Sequence, residues 1–162
     1  MKLVIVLFGM MLAVVAASVI GNSTREMELT QKGYTKVNNL GYFKIYNDYR
    51  TWAHAFQQCY NDGGYLFIPN SEEEVNVVKS LMSLYPDEDY FAIGVHDQFL
   101  NGYFLTIHGD VFDNSKYALW NSASGEPNNL GGNEDCVVML PTGFLNDLSC
   151  ERKTFFVCEH EY

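Results

Sequence analysis

Five oxygen-bearing side chains fall within 22 positions of this chain: Glu126 and Asn128 on either side of Pro127, Glu134 just before Asp135-Cys136, and Asn146-Asp147 shortly before Cys150. Carboxylates and carboxamides in one short stretch are the inventory of a hard cation, and Ca2+, which takes six to eight oxygens, is the ion that they fit. With a backbone carbonyl from Asp147 added, two coordination positions remain for exchangeable ligands. Adjacent sugar hydroxyls can fill them, because each hydroxyl can also donate to a ligand carboxylate and accept from a ligand amide N–H. That dual use accounts for the mixture of acids and amides. Pro127 between two ligands points to rigidity, since a cis X-Pro bond turns both neighbours toward one centre.

The elements that must hold these residues can be read in outline. Tyr42 to Tyr46 alternates as a strand, and Thr51 to Asn61 places Trp52, Phe56 and Cys59 at helical spacing until Asp62-Gly63-Gly64 ends the helix. Ser71-Glu72-Glu73-Glu74 forms a capping box, with Ser71 as N-cap and Glu74 at N3, opening a second helix through Val75, Val78, Met82 and Tyr85 to Pro86. The three glutamates need no metal, because acids in a first turn complement the helix dipole. After Tyr90 short apolar runs replace helical periodicity: Phe91 to Val95, Tyr103 to Ile107, Val137 to Leu140 and Phe155 to Cys158. Helices followed by a strand-rich, loop-rich half make an α+β order. The irregular stretch from Gly109 to Asp135 is long enough to suggest a functional loop.

Composition bounds the setting. Residues 1–17 carry Lys2 as their sole charge, an apolar run from Leu3 to Val15 and the small-residue end Val15-Ala16-Ala17, the pattern of a secretory signal peptide too short for a membrane anchor. Residues 18–33 read as a flexible tail without heptads, containing the glycosylation sequon Asn22-Ser23-Thr24, and residues 34–162 as one domain. The formal charge of −10 argues against nucleic acid or an anionic membrane as partner. Cys59, Cys136, Cys150 and Cys158 imply two disulfides in a secreted chain, with three pairings open, while the lack of a C-x-x-C pair or spaced histidines argues against zinc.

Taken in order, Trp52 through Cys59, Ile93-Gly94-Val95, Trp120, Glu126-Pro127-Asn128, Glu134-Asp135-Cys136, Asn146-Asp147 and Phe156-Val157-Cys158-Glu159 resemble a C-type lectin-like domain of the short four-cysteine form, from about Tyr34 to Glu159. The resemblance implies two helices packed on antiparallel sheets with a long calcium-binding loop region. It pairs Cys59 with Cys158 and Cys136 with Cys150, the short bridge tying the strand carrying Glu134 to the loop carrying Asn146 and Asp147. It implies a cis Glu126-Pro127 bond and assigns Glu126, Asn128, Glu134, Asn146 and Asp147 to both calcium and carbohydrate. Glu-Pro-Asn in that family goes with mannose, N-acetylglucosamine, glucose or fucose, whereas Gln-Pro-Asp goes with galactose, commonly beside an aromatic residue that Asn129 to Asn133 lacks. Departures are Leu145 for a family tryptophan, Ala92 for another, and Asn101 and Asn129 where an auxiliary calcium site has acids beside Asp97 and Asp135.

The expectation is therefore a secreted, calcium-dependent, non-enzymatic lectin resembling humoral lectins of invertebrate innate immunity, whose weak single site calls for several linked copies, as a homo-oligomer would provide. No nucleophile-and-base motif supports catalysis. The alternatives are a protein-binding module of the same fold in which calcium only orders the loop, and a galactose-binding lectin.

Overall fold

The computed structural model describes residues 23–113, 117 and 119–161, so the proposed signal peptide and the Asn22 sequon lie outside the described residues. The chain divides into two compact units, one up to Lys36 and one from Val37. In the first, residues 23–31, expected to be irregular, form helix α1. Arg, Glu, Met and Leu are good helix formers, the Thr30 hydroxyl donates to the Glu26 carbonyl (2.8 Å), and Lys36 pairs with Glu26 (2.6 Å).

The remaining elements are β1 (Thr35–Val37), β2 (Gly41–Arg50), α2 (Trp52–Asn61), β3 (Tyr65–Leu66), α3 (Glu72–Met82), β4 (Phe91–His96), β5 (Leu105–Thr106), β6 (Cys136–Met139), β7 (Leu145–Leu148) and β8 (Thr154–His160). From β2 the strands run in the order β2-β8-β4-β6-β7, with β3 on β8 and β5 on β4. The expected sheet was antiparallel throughout; β4 and β8 instead pair in parallel, Phe91 opposite Phe155 and Ala92 opposite Phe156. A parallel pair needs a long crossover, and the whole span from β5 to β7 supplies it.

One core joins the sheet to α3. Phe43, Phe67, Val78, Met82, Phe91, Ile93, Val137, Met139, Leu145 and Val157 pack together in it, with Trp120 resting on the edge. Leu145, in the place of a family tryptophan, is fully buried. Gly94 is required by close approach: a Cβ there would sit 2.5 Å from the Leu66 carbonyl oxygen, because β3 and β4 lie that near. On α2 the buried face is Ala55 and Cys59, while Phe56 sits apart from it, stacked between Trp52 at 5.9 Å and the exposed Tyr60 at 6.5 Å.

Ser71 caps α3 as expected, its hydroxyl accepting the Glu74 N–H at 3.2 Å. Glu74 itself is buried, with Oε2 lacking a hydrogen-bond partner. Burial, reinforced by the charge of Glu161, pushes its carboxyl up to about 7, and burial raises Glu159 as well. An acid whose folded pKa exceeds its unfolded value, about 4.3 for Glu, binds more protons folded than unfolded over the interval between them. Stability therefore falls as pH rises from about 4.3 toward 7, on the order of 3 kcal/mol from this residue. Denaturant melts between pH 5 and 7.5 should show that loss in the unsubstituted protein and a flatter profile in Glu74→Gln, which keeps the N3 cap but cannot ionise.

Candidate carbohydrate and cation site

Two disulfides frame the site, and both join the pairs that the resemblance implied. Cys59–Cys158 joins α2 to β8 across 99 positions, and Cys136–Cys150 spans 14. The short bridge works the other way round from the expectation. Glu134 lies in the loop just before β6, whereas Asn146 and Asp147 lie in β7, opposite Val138 and Val137. β6 and β7 form a hairpin whose ends the bridge closes, so the strand pairing itself sets the height of Asp147 against the loop. The shorter bridge is tied in turn to α2, because Trp52 N–H donates to the Cys150 carbonyl (3.0 Å) and its indole N–H to the Ile93 carbonyl (2.8 Å).

The loop reaches this hairpin through a 3-10 turn at Ser122–Ser124, ended by Gly125 in the left-handed region, and the Glu126-Pro127 bond that follows is cis. Asn128 Nδ2 donates to Glu126 Oε2 at 2.9 Å, so the two side chains flanking the proline meet. Asp147 is the fixed point of the arrangement. Buried, it accepts the Asn128 N–H on one carboxylate oxygen (3.0 Å) and the Asn129 N–H on the other (2.7 Å). Glu134 Oε2 accepts the Leu130 N–H (2.8 Å), its own N–H donates to Asn129 Oδ1 (3.0 Å), and Asn146 Nδ2 donates to the Asp147 carbonyl (2.7 Å). All five residues singled out from the sequence thus belong to one hydrogen-bonded web.

Asn129 is the member that sequence reasoning undervalued. It adopts φ 44°, a left-handed conformation that Asn tolerates better than most residues, and its side chain also donates to Asn101 Oδ1 at 2.9 Å. The two amides standing where some relatives carry acids therefore bond each other. Their neighbour Asp97 accepts the Gly102 N–H on Oδ2 (2.7 Å), and burial raises its pKa.

Charge converges on Glu126. Partial burial, a hydrogen bond with Asp147 and the negative charges of Asp147 and Glu134 push its carboxyl up to about 7. Among the described residues no group of three His, Cys, Asp or Glu side chains is gathered as a metal cluster, so a cation here would draw on the carboxamides too. The donor chemistry fits such an ion: the side chains of the five residues offer carboxylate and amide oxygens only.

The sequence profile of the Lectin C-type domain matches residues 48–160. The chain belongs to the C-type lectin family. Members of this family bind carbohydrate and are not enzymes. The chain is 41% identical over 135 residues to a hemolymph lipopolysaccharide-binding protein of Periplaneta americana, covering 80% of this chain and 52% of that protein. It is 33% identical over 118 residues to Collectin-10 of Xenopus tropicalis, covering 73% and 41% respectively. The chain thus spans about half the length, or less, of these curated relatives. The carbohydrate-recognition domain of the mouse scavenger receptor C-type lectin superposes with a TM-score of 0.69 at 23% identity, over 79% of this chain and 95% of that one, a likeness of fold. No helix among the described residues is long and apolar enough to cross a membrane.

Proposed function

We propose that this chain is a secreted, calcium-dependent lectin for mannose-type sugars, with residues 34–162 as the recognition domain and Glu126, Asn128, Glu134, Asn146 and Asp147 as the ligands. The observation that carries the reading is the web around Asp147, which holds both sides of Pro127 against β7. Calcium, when bound, would supply positive charge and open positions for two vicinal hydroxyls. The chain's own residues do the rest. Glu126 and Glu134 present carboxylate oxygens that accept from hydroxyls, and Asn128 and Asn146 each retain one amide hydrogen to donate.

Equatorial 3- and 4-hydroxyls suit the Glu-Pro-Asn order, and the lack of an aromatic residue among Asn129 to Asn133 removes the stacking face that galactose favours. The name of the Periplaneta relative supports a microbial glycan as the natural ligand and a part in innate immunity. The apolar leader with its small-residue end supports secretion. One shallow monosaccharide contact at millimolar Kd is worth only about −4.1 kcal/mol, so recognition of a surface would use several linked copies.

The deciding measurement is a glycan array probed with the protein in calcium and in EDTA, together with Glu126→Gln/Asn128→Asp. The unsubstituted protein should bind mannose-type glycans in calcium alone and lose them in acid, where the carboxylates protonate. The double variant, with donor and acceptor exchanged about Pro127, should shift toward galactose by about tenfold or more. Retention on mannose in EDTA, or mannose selectivity unchanged in the double variant, overturns the assignment.

A further inference from the structure

Two loop tips beside this site leave large apolar side chains in water. Phe99 is 81% exposed and Leu100 63%, in the turn after β4, and Leu130 is 71% exposed in the 3-10 turn that follows Asn129. Scattered exposed apolar residues are ordinary on protein surfaces; these three differ in being held and in being joined to the site. Leu100 N–H donates to the Asp97 carbonyl (3.0 Å), Tyr103 N–H to the Leu100 carbonyl (2.9 Å) and Gly102 N–H to Asp97 Oδ2 (2.7 Å), so the first tip is a closed turn. The Phe99 ring stands edge-on to His96 at 5.3 Å, and His96 packs in turn on Trp52.

The Asn129–Asn101 hydrogen bond links the tips, and each of its partners is the chain neighbour of one of the two leucines. Asn129 is also the residue whose N–H rests on Asp147 and whose Oδ1 fixes Glu134. The apolar tips are therefore continuous with the oxygen ligands. The tips are also uncharged: the chain carries −10, yet residues 98–103 and 127–133 contain no charged side chain. An acidic body is repelled by like-charged surfaces, and neutral tips let it meet an apolar layer beside the sugar site without burying charge of their own.

We infer that Phe99, Leu100 and Leu130 form a contact for acyl chains, so that the preferred ligand of this site is a sugar carried on lipid, with the glycan at Glu126 and Asn128 and the tips pressed into hydrocarbon. The inference rests on the sugar-binding reading above and extends it to the class of glycan. A bare polysaccharide would use the oxygen ligands alone; a lipid-borne one would add burial of three large side chains, each favourable to remove from water.

The test compares the unsubstituted protein with Phe99→Ser/Leu100→Ser/Leu130→Ser, in calcium, on two surfaces matched for mannose density: phosphatidylcholine vesicles carrying a mannosyl diacylglycerol, and mannosylated albumin. The unsubstituted protein should bind the vesicles at least tenfold more tightly than the albumin. The triple variant should lose that excess while keeping its albumin binding, which also certifies its fold. Equal binding of both surfaces by the unsubstituted protein, or an undiminished vesicle preference in the variant, overturns the inference and leaves the sugar site intact. A dimer in sedimentation that the triple variant dissolves overturns it in favour of a self-interface. Failure of the unsubstituted protein on both surfaces overturns the sugar reading and this one with it.

Discussion

Asp147→Asn is expected to release the Glu126–Asn129 loop from β7 and to abolish sugar retention. Each Asp147 oxygen accepts one backbone N–H, from Asn128 at 3.0 Å and Asn129 at 2.7 Å, in a buried position. An asparagine there keeps one acceptor and turns an NH2 toward the other N–H, leaving two donors face to face. A buried donor left without an acceptor costs about 1–3 kcal/mol, and the charge that strengthened both bonds is gone as well. Hydrogen exchange at the Asn128 and Asn129 amides should accelerate by roughly 30-fold for a loss of about 2 kcal/mol, while amides in β2 and β8 keep their protection. Mannose-agarose retention in calcium should vanish in the same protein. Unchanged exchange at those two amides would remove Asp147 from the role given to it here, whatever the sugar result.

The largest effect on stability is expected from Cys59→Ala with Cys158→Ala. Both cysteines are fully buried, and their bridge links positions 99 residues apart. In the chain-entropy treatment, closing a loop of about 100 residues is worth up to ~4.7 kcal/mol, and removal of a native bridge from a small secreted domain typically costs about 2–5. Guanidinium melts should place the double variant's midpoint well below that of the unsubstituted protein. Cys136→Ala with Cys150→Ala opens a loop of only 14 positions and should cost less, about 3 kcal/mol. Its larger effect should fall on sugar retention, since that bridge holds the ends of the hairpin bearing Asp147. A long bridge whose loss leaves the melt unmoved would show that the β2–β8 pairing alone secures α2.

The parts of the fold that were legible in the sequence are those whose signals are local. The Ser71 cap, the helix of α3 and the apolar runs of β4, β6 and β8 follow from residues within a few positions of one another. Three features were not legible for the same reason in reverse. β3 is two residues long and exists through its pairing with β8, Tyr65 opposite Glu159 and Leu66 opposite Cys158. The parallel contact of β4 with β8 depends on a crossover of more than 50 residues, which no periodicity within either strand encodes. On α2, helical spacing grouped Phe56 with Cys59, but the neighbouring strands cover Ala55 and Cys59 and leave Phe56 at the margin.

At the site the division is similar. Residue types and spacing by themselves determined which atoms are available: three carboxylates and two carboxamides, a proline between two of them and a cysteine beyond each group, in an order specific to one family. Only the tertiary structure decided how those atoms are used. Asp147 meets the amides of Asn128 and Asn129 across 19 and 18 positions because the β6–β7 hairpin carries it there, and Asn129 meets Asn101 across 28. A side chain's chemistry is written in its own residue, whereas its partner is chosen by whichever strand the buried core draws up beside it.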